Sequence, residues 1–443
     1  MTKIQFINHA SVKIYNEDCC LLSDPWYQGD AFHKGWNLLV ELTDKEVEDL
    51  LMDVTHIWIS HEHPDHFSIL FFKKFLPLLK DNNVTILFQE TKDKRVKEFF
   101  KKSGIKFKEL LFEISTQIER GFNVTCFKDG FYDSGLLIET GDQKILNLND
   151  CQIRSDAKAD EIYNIIGECD LLLTQFSYAA WKGGKKNIEW REEAAKEKLD
   201  TLRLQVKKFN PTYLIPFASY VYFSNEYNSY LNDSVNTPQN VIDCLSDLDT
   251  SVVVMKPFDV FLDFTGEFDN NNGVEFWNSK YKSISSIPKH LYNQVEFSEL
   301  NEAFDIYRKR VFLNNSRALM KFLSVFSPIK IFKPVYIHLK DLDETFCVDL
   351  FEKNLMRADH DAHLIMSSES LEFVFRNTFG FDTLTVNGCF EEGKSGGFSI
   401  ATKTLAIENL NNMGIRFRLM FLFNFNLIML FFNRLKKVSK QIL

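Results

Sequence analysis

The sequence predicts an α/β fold built in layers, followed by a smaller mixed α/β domain. Short apolar runs rich in β-branched residues predict buried strands at residues 55–59 and 84–88. Segments with apolar residues at helical spacing follow each of these strands, at residues 68–80 and 92–103. Strands and helices that alternate in this way are typical of an α/β layer architecture.

Most of the remaining elements in the first part of the chain are predicted to be strands. They lie at residues 4–6, 12–15, 19–23, 121–127, 136–140, 144–148, 170–175, 213–217, 252–255 and 260–264. Further helices are predicted at residues 43–51, capped by Thr43 or Asp44, and at residues 189–208. Asparagines and glycines at 265–273 indicate a linker. Residues 1–265 are therefore predicted to form the first domain.

Beyond the linker we expect a helical connector over residues 266–354 and a mixed C-terminal domain over residues 355–443. Helices are predicted at 297–326 and 367–377, and strands at 335–338, 346–351, 363–366 and 384–386. The apolar segment at 419–432 is flanked by basic residues and is shorter than the roughly twenty apolar residues that a membrane span needs. An amphipathic helix in weak contact with a membrane surface, burial in the C-terminal domain and an oligomer contact all fit this segment.

The composition is that of an ordinary soluble globular protein, with 45% hydrophobic and 26% charged residues among 443. The net charge of −9 argues against a nucleic-acid partner, because phosphate neutralisation requires clustered Lys and Arg. The cysteines form no CxxC pair, and the first residues lack the apolar core of a signal peptide. We predict a reducing cytoplasm, with peripheral attachment to a membrane as the alternative that the C-terminal segment leaves open.

The functional prediction rests on the segment Ser-His-Glu-His-Pro-Asp-His-Phe at residues 60–67. Four side chains that bind metals in proteins fall within six residues: His61, His63, Asp65 and His66. Pro64 keeps the residue before it out of the helical region, so the segment is predicted to be a loop at a strand end. Imidazole and carboxylate ligands at this spacing suit one or two adjacent zinc or iron ions. A solvated polar turn is the alternative.

Three further residues are candidates because of their positions next to strands. Asp24 and Asp150 each follow an apolar strand, where a sheet presents polar side chains to a site. His9 lies between two short strands. Turn-forming aspartates and a hydrogen-bonded structural histidine are the alternatives at these positions.

A small basic loop at residues 182–186 could bind a phosphate through its amides and ammonium groups. Its basic residues are Lys182, Lys185 and Lys186. The spacing differs from that of a nucleotide-binding P-loop, and a solvated loop is the alternative.

The first 265 residues resemble the metallo-β-lactamase superfamily, whose most specific mark is the pattern His61-x-His63-x-Asp65-His66. Further stretches are similar to the catalytic domain of CMP-N-acetylneuraminate hydroxylase. They are Asp24-Pro-Trp with Gly29, Ala31-Phe and Gly35-Trp, then Asp170-Leu-Leu, and Pro216-Phe-Ala with Tyr220. The resemblance implies an αββα sandwich with the metal site at one edge and Tyr220 at the substrate. Residues 367–390 also look like a sterol-carrier-type module, with 381–388 as its strand.

The sequence departs from this family in its ligands. The hydroxylase has an amino-terminal Rieske iron–sulfur domain with two Cys and two His ligands, which this chain is expected to lack because it begins directly at the sandwich. No histidine occurs between His66 and His290, so two of the superfamily's usual ligands are missing. Asp133 or Asn225 could substitute for them. A site with more oxygen ligands would shift the preference from zinc toward iron or manganese.

The first functional hypothesis is a metal-dependent hydrolase with one or two divalent ions. Its metal ligands would be His61, His63, Asp65, His66 and Asp150. A metal-bound water of lowered pKa would attack a phosphoester, ester or amide, and Asp65, or His9 and Asp24 behind the ligands, would orient ligands and water. The resemblance implies an anionic substrate such as a sugar nucleotide, with the basic loop near its phosphate.

The second hypothesis is an iron-dependent monooxygenase that acts on CMP-sialic acid or a similar compound. It would receive electrons from a separate ferredoxin or Rieske protein. The third is a degenerate, non-catalytic binding protein that keeps the fold. Metal analysis separates the three, since zinc or manganese supports the first, paired iron the second and substoichiometric metal the third.

Overall fold

The computed structural model describes residues 2–418, without 18, 263, 265–267 and 328, and also residue 429. Within these residues the first part of the chain forms two large mixed sheets. The strands of the first sheet are, in spatial order, Val260–Leu262, Lys3–Asn8, Ser11–Asn16, Cys19–Ser23, His56–Ile59, Thr85–Gln89 and Lys106–Leu110. Those of the second are Ser251–Val252, Tyr213–Phe217, Leu171–Gln175, Gln143–Asn149, Asp133–Thr140, Phe122–Asp129 and Ser115–Glu119. Trp36–Leu38 and Val221–Phe223 form a small separate pair.

The two sheets pack face to face with helices on their outer sides. Phe6 and Leu21 of the first sheet share the central core with Leu136 and Leu172 of the second. The outer face of the first sheet is covered by Asp44–Leu51, Ile69–Asp81 and Arg95–Ser103. The second sheet is covered by Asp156–Ile166, Ile188–Phe209 and Pro238–Leu245. The predicted αββα sandwich is therefore confirmed.

The histidine-rich segment is a short loop between a buried strand and a capped helix. The strand His56–Ile59 precedes the loop and is buried along its whole length. The Oγ of Ser68 accepts a hydrogen bond from the N–H of Phe71 at 3.2 Å, so the helix Ile69–Asp81 begins directly after the loop. The N–H groups of His66 and Phe67 both donate to the carbonyl of His63, which closes the loop as a turn.

A second core follows the sandwich. The strands of its sheet are, in spatial order, Met356–Arg357, Glu344–Val348, Val335–Leu339, Leu364–Met366 and Phe390–Glu392. Its helices are Phe297–Asn314, Arg317–Phe326, Ser368–Arg376, Gly380–Asn387, Gly397–Leu405 and Ile407–Asn412. The predicted boundary between residues 354 and 355 falls inside this sheet. The helix Asn271–Ser283 packs into the first core through Trp277. Short 3₁₀ helices lie at Ser229–Ser234 and Ile284–Ser286.

Two strand predictions near the C-terminus are wrong, because residues 384–386 and 381–388 lie in and directly after the helix Gly380–Asn387. This helix ends at Gly388, whose φ of 66° gives the left-handed conformation that glycine favours after a helix. The strand predicted at 252–255 is reduced to Ser251–Val252. The apolar segment predicted at 419–432 lies outside the described residues, apart from residue 429. Among the described helices, none has both the length and the hydropathy to cross a membrane.

The helix Gly380–Asn387 joins the second core to the rim of the sandwich. The side chain of Asn387 donates to the carbonyl of Phe32 at 3.0 Å, and the side chain of Asn228 donates to the carbonyl of Asn387 at 2.7 Å. A Cβ atom at Gly35 would lie 2.4 Å from the Cβ of Asn387, closer than non-bonded carbons approach. Glycine at this position therefore allows the helix to dock.

We expect the substitution Gly35→Val to destabilise the protein by about 1–3 kcal/mol, the usual cost of overpacking a close contact. The matched control is Gly184→Val in another loop, where an added Cβ meets only the Asn187 side chain at 3.7 Å. Thermal and urea unfolding of the two variants measure the effect. Equal stability of both variants would contradict the close docking of this helix.

Candidate metal centre

Asp24 lies at the base of the centre, where the strand Cys19–Ser23 ends. Its carboxylate is 1% exposed and accepts hydrogen bonds from the N–H and the Oγ–H of Ser60, both at 2.8 Å. It also accepts one from Nδ1 of His66 at 3.0 Å and one from Nδ2 of Asn149. The backbone of Asp24 has a φ of 35°, and that of Asn149 a φ of 48°. Asp24 therefore links both sheets to the histidine loop.

These hydrogen bonds decide which ring nitrogens face the centre. Because the hydroxyl proton of Ser60 goes to Asp24, the Nδ1 of His61 must donate to Ser60 Oγ, at 2.9 Å. The Nε2 of His61 then carries a lone pair. His66 likewise donates through Nδ1 to Asp24 and presents Nε2 on the other side. A histidine held through one nitrogen with the other directed to a common point is the usual arrangement of a metal ligand.

The free ring nitrogens converge with carboxylate oxygens in overlapping groups. His66 Nε2 lies 3.3 Å from Asp65 Oδ2 and 3.4 Å from Asp150 Oδ2. His9 Nε2 lies 3.5 Å from Asp65 Oδ2. The described residues that could together hold an ion form three sets: His9, Asp65 and His66; His61, His66 and Asp150; and His61, His63 and Asp133.

The donor set fits a divalent metal ion. Both ring nitrogens of His9, the Oδ1 of Asp65 and the Nε2 of His66 are buried and form no hydrogen bond within the described residues. Such atoms are costly to bury without a partner. Ligand atoms separated by 3.3–3.5 Å match the edge of a tetrahedron around an ion with bonds of about 2.1 Å. Imidazole and carboxylate donors of this kind suit zinc, iron and manganese.

The electrostatics keep His61 and Asp65 in the form that binds metal. Burial opposes protonation of His66, but the charges of Asp65 and Asp150 outweigh it and raise the pKa of His66 well above its usual value. Burial lowers the pKa of His61 well below its usual value, and the rings of His66 and His63 lower it further, so His61 is neutral. Burial opposes ionisation of Asp65, but the nearby rings of His66 and His9 outweigh it and hold the pKa of Asp65 well below normal. Burial raises the pKa of Asp133 to about 7. A metal ion would replace protons at such sites.

The predicted ligands His61, His63, Asp65, His66 and Asp150 lie together, and the proposed substitute Asp133 joins them. Its Oδ1 is 3.8 Å from His61 Nε2. The other proposed substitute, Asn225, does not reach the centre. Its Oδ1 accepts the N–H of Tyr227 at 3.1 Å and its Nδ2 faces the carbonyl of Lys34 at 3.4 Å. The Oδ1 of Asn225 is therefore used within its own loop, and its Nδ2 is used by the loop that contains Lys34.

The residues predicted to bind substrate lie in different environments. The prediction that Tyr220 contacts the substrate is wrong. Tyr220 is fully buried in the core and stacked on Trp277, and its hydroxyl donates to the carbonyl of Pro216. Lys185 and Lys186 are exposed, and the Nζ of Lys185 lies 3.6 Å from Glu391. Lys182 is half-buried and lies near the charges of Arg154 and Glu197.

Sequence reasoning missed two cations near Asp150, Lys198 and Arg154, which lie close to the predicted Lys182. The Nε2 of Gln175 donates to Asp150 Oδ1 at 2.9 Å, and the Oε1 of Gln175 accepts from Nζ of Lys198. Burial lowers the pKa of Lys198 to about 7, and the charges of Arg154 and Lys182 contribute. Burial and Arg154 also lower the pKa of Lys182. Lys198 lies in a long Glu- and Lys-rich helix, where no local pattern distinguishes it.

No protein-family model matches the chain. Among curated proteins it is similar to the cytidine monophosphate-N-acetylneuraminic acid hydroxylase of Xenopus laevis, with 27% identity over 248 residues that are 52% of this chain and 40% of that protein. The Mus musculus hydroxylase is also 27% identical over 248 residues, 52% of this chain and 41% of that protein. The inactive hydroxylase of Homo sapiens is 26% identical over 255 residues, which are 52% of this chain and 48% of that protein. The chain spans about two fifths of the length of the first two of these relatives.

Several solved structures are also similar. CmlA, a diiron β-hydroxylase from Streptomyces venezuelae, matches with 13% identity and a TM-score of 0.43 over 59% of this chain and 54% of that one. A possible metal-dependent hydrolase from Veillonella parvula matches with 15% identity and a TM-score of 0.43, over 59% of this chain and 99% of that one. The metallo-β-lactamase fold protein YhfI from Bacillus subtilis matches with 13% identity and a TM-score of 0.39, over 59% of this chain and 98% of that one.

The curated relatives agree with the resemblance found in the sequence. The topology is that of the expected αββα sandwich, with the histidine loop at the edge where the two sheets meet. Over about half its length it is similar to CMP-N-acetylneuraminic acid hydroxylase.

We expect His61→Ala to lower the metal content of the purified protein to substoichiometric levels, because His61 belongs to two of the three ligand sets. The matched control is His338→Ala in the second core, where the ring contacts Thr345 Oγ1 at 3.2 Å. Elemental analysis by mass spectrometry measures zinc, iron and manganese in both variants. Unchanged metal in the His61 variant would show that the ligands have been assigned wrongly.

The substitution Asp133→Asn is expected to weaken metal affinity on the order of tenfold, because a charged oxygen ligand becomes a neutral amide. The paired control is Asn225→Asp, which adds a carboxylate at the rejected position and should leave the affinity unchanged. Competition with a chelator gives both affinities. A gain in affinity for Asn225→Asp, with no loss for Asp133→Asn, would reverse the assignment.

Proposed function

We propose that this protein is a metal-dependent hydrolase that acts on an anionic metabolite, such as a phosphoester or a sugar nucleotide. The observation that carries the proposal is the direct connection between the metal ligands and a group of cations. Gln175 bridges Asp150 and Lys198 through its amide, and Arg154 and Lys182 lie close to Lys198. An anionic substrate group beside Asp150 would neutralise these charges.

The cation group supports an anionic substrate on physical grounds. Like charges brought together at a partly buried position repel one another, and burial removes the water that would screen them. A phosphate or carboxylate accepts charge-assisted hydrogen bonds from Lys and Arg and removes this repulsion. Arg154 also has Glu197 nearby at 3.7 Å, but the Nζ of Lys198 is paired only with the neutral amide of Gln175 among the described contacts.

The residues of the centre have separable tasks. A divalent ion bound by these ligands supplies Lewis acidity and a water of lowered pKa. Ser60 and Asp24 fix the proton on Nδ1 of His61 and His66, so that Nε2 of each ring faces the ion. Asp65 lies between His66 and His9 and can accept a hydrogen bond from water. Gln175 and Lys198 orient the anionic group of the substrate next to Asp150.

The ligand set also affects which metal ion the site prefers. Asp133 stands where the superfamily resemblance implies a histidine, so the set has more oxygen donors than a histidine-rich zinc site. Oxygen donors favour iron or manganese over zinc. We therefore propose one or two divalent ions, with iron or manganese competing effectively with zinc.

A second candidate function is an iron-dependent monooxygenase with a separate electron donor. The similarity to CMP-N-acetylneuraminic acid hydroxylase over 52% of this chain favours it. Such a reaction needs electrons from a ferredoxin or a Rieske protein, which would be a partner of this chain. The two functions differ in whether oxygen is consumed.

The test loads the purified protein with zinc, manganese or iron(II) in separate samples. Each sample is assayed for hydrolysis of p-nitrophenyl phosphate, bis-p-nitrophenyl phosphate and CMP-N-acetylneuraminate. Oxygen uptake is recorded with CMP-N-acetylneuraminate and a reduced ferredoxin. Hydrolysis that needs the metal supports the first proposal. Oxygen uptake coupled to substrate supports the second and overturns the first, and stable metal-free protein without either reaction indicates a binding protein.

For the hydrolase we expect Lys198→Met to lower kcat/KM for anionic substrates about 10- to 100-fold, since a hydrogen bond to a charged group contributes roughly 1.5–3 kcal/mol. Lys196→Met is the control, because Lys196 is exposed on the same helix and two residues away. Metal content should stay the same in both. If Lys198→Met and Lys196→Met behave alike, the cation group does not bind substrate.

A further inference from the structure

A large cavity lies beside the metal centre, and none of the three cations near Asp150 lines it. Its volume is about 400 Å³, within the range of small-molecule sites in proteins. His63, one of the candidate ligands, lines its inner end. A ligand in the cavity would therefore lie against the metal centre.

The walls of this cavity are mainly hydrocarbon. Phe67, Phe88, Val96 and Phe99 of the sandwich form one side, and Phe379 and Val386 of the second core form the other. Phe88 and Phe67 are only 2% and 8% exposed, so these walls are held in place by the core. Polar groups also contribute to the lining, and they include Arg95, Thr383 and the carboxylates of Glu62, Asp93 and Asp382.

The second core completes the cavity. Its helix Gly380–Asn387 is held against the sandwich by the hydrogen bond of Asn387 to Phe32 and by the close approach at Gly35. The guanidinium of Arg95 lies 4.5 Å from the centre of the Phe379 ring, a cation–π contact between the two cores. This docking keeps Phe379 and Val386 opposite the phenylalanines of the sandwich.

We propose that the cavity binds an uncharged hydrocarbon group of the substrate, so that the substrate is an amphiphile whose anionic end lies at the metal centre. The proposal rests on the function proposed above and narrows its substrate class. Sugar hydroxyls placed against the phenylalanines would lose hydrogen bonds to water, at a cost of about 1–3 kcal/mol for each one left without a partner. An acyl chain or an aromatic ring gains free energy from the same burial.

The test measures binding to the zinc-loaded full-length protein by isothermal titration calorimetry. The probes are decanoate, 2-naphthoate and CMP. Ile69→Trp fills the cavity from the sandwich side, and Leu70→Trp is its matched control. Both residues lie in the first turn of one helix and are about half exposed, at 48% and 54%, but only Ile69 lines the cavity. Val386→Trp fills it from the other wall.

We expect decanoate or 2-naphthoate to bind, and Ile69→Trp and Val386→Trp to weaken that binding at least tenfold while Leu70→Trp does not. Tighter binding of decanoate assigns an acyl chain, and tighter binding of 2-naphthoate assigns an aromatic ring. Metal content, measured on the same samples, reports separately on the metal centre. Hydrocarbon binding that is unchanged in His61→Ala without metal would keep the hydrocarbon site but overturn the placement of the anionic end at the metal centre. Binding of CMP but of neither hydrocarbon acid, or binding unaffected by both cavity-filling variants, overturns the cavity assignment.

Discussion

The buried carboxylate of Asp24 is the constraint on which the rest of the centre depends. An isolated charge at this depth would be strongly destabilising, and the structure offsets the cost with donors from two parts of the fold. Ser60 and His66 come from the histidine loop, and Asn149 comes from the second sheet. Because these donors are fixed to one carboxylate, the loop and both sheets hold a set geometry at their shared edge. The left-handed backbone of Asp24 and Asn149 is the local strain that this arrangement tolerates.

Sequence reasoning located much of this edge because the necessary signals are local. The strands Cys19–Ser23 and His56–Ile59 run parallel, as do Gln143–Asn149 and Leu171–Gln175. Side chains that follow the carboxyl ends of parallel strands meet at one edge of the sheet. Asp24, His61 and Asp150 each follow such a strand. Their proximity could therefore be predicted from the sequence, because in each case an apolar run is followed by a polar residue. The layered fold followed from the same runs.

The parts that escaped prediction depend on contacts distant in sequence. Lys198 has the same local surroundings as other lysines of its helix, and only the position of Gln175 on the neighbouring strand makes it different. Tyr220 follows a strand end as Asp24 does, but its ring fills a gap beside Trp277. The β-branched residues at 383–386 favour a strand, yet docking of the helix against Phe32 and Gly35 outweighs this weak preference.

The centre therefore lies between two environments with opposite requirements. Asp150 is linked through Gln175 to the half-buried Lys198 and the cations near it, whereas His63 lines a cavity rich in phenylalanines. A small phosphate would satisfy only the cations, and a neutral hydrocarbon only the cavity. A molecule with an anionic group and an apolar group on either side of the reacting bond would satisfy both at once. Since one wall of the cavity comes from the second core, the sandwich by itself could bind the metal but could not select such a molecule. In the proposed function, the fixed contact at Gly35 would then serve substrate selection as well as stability.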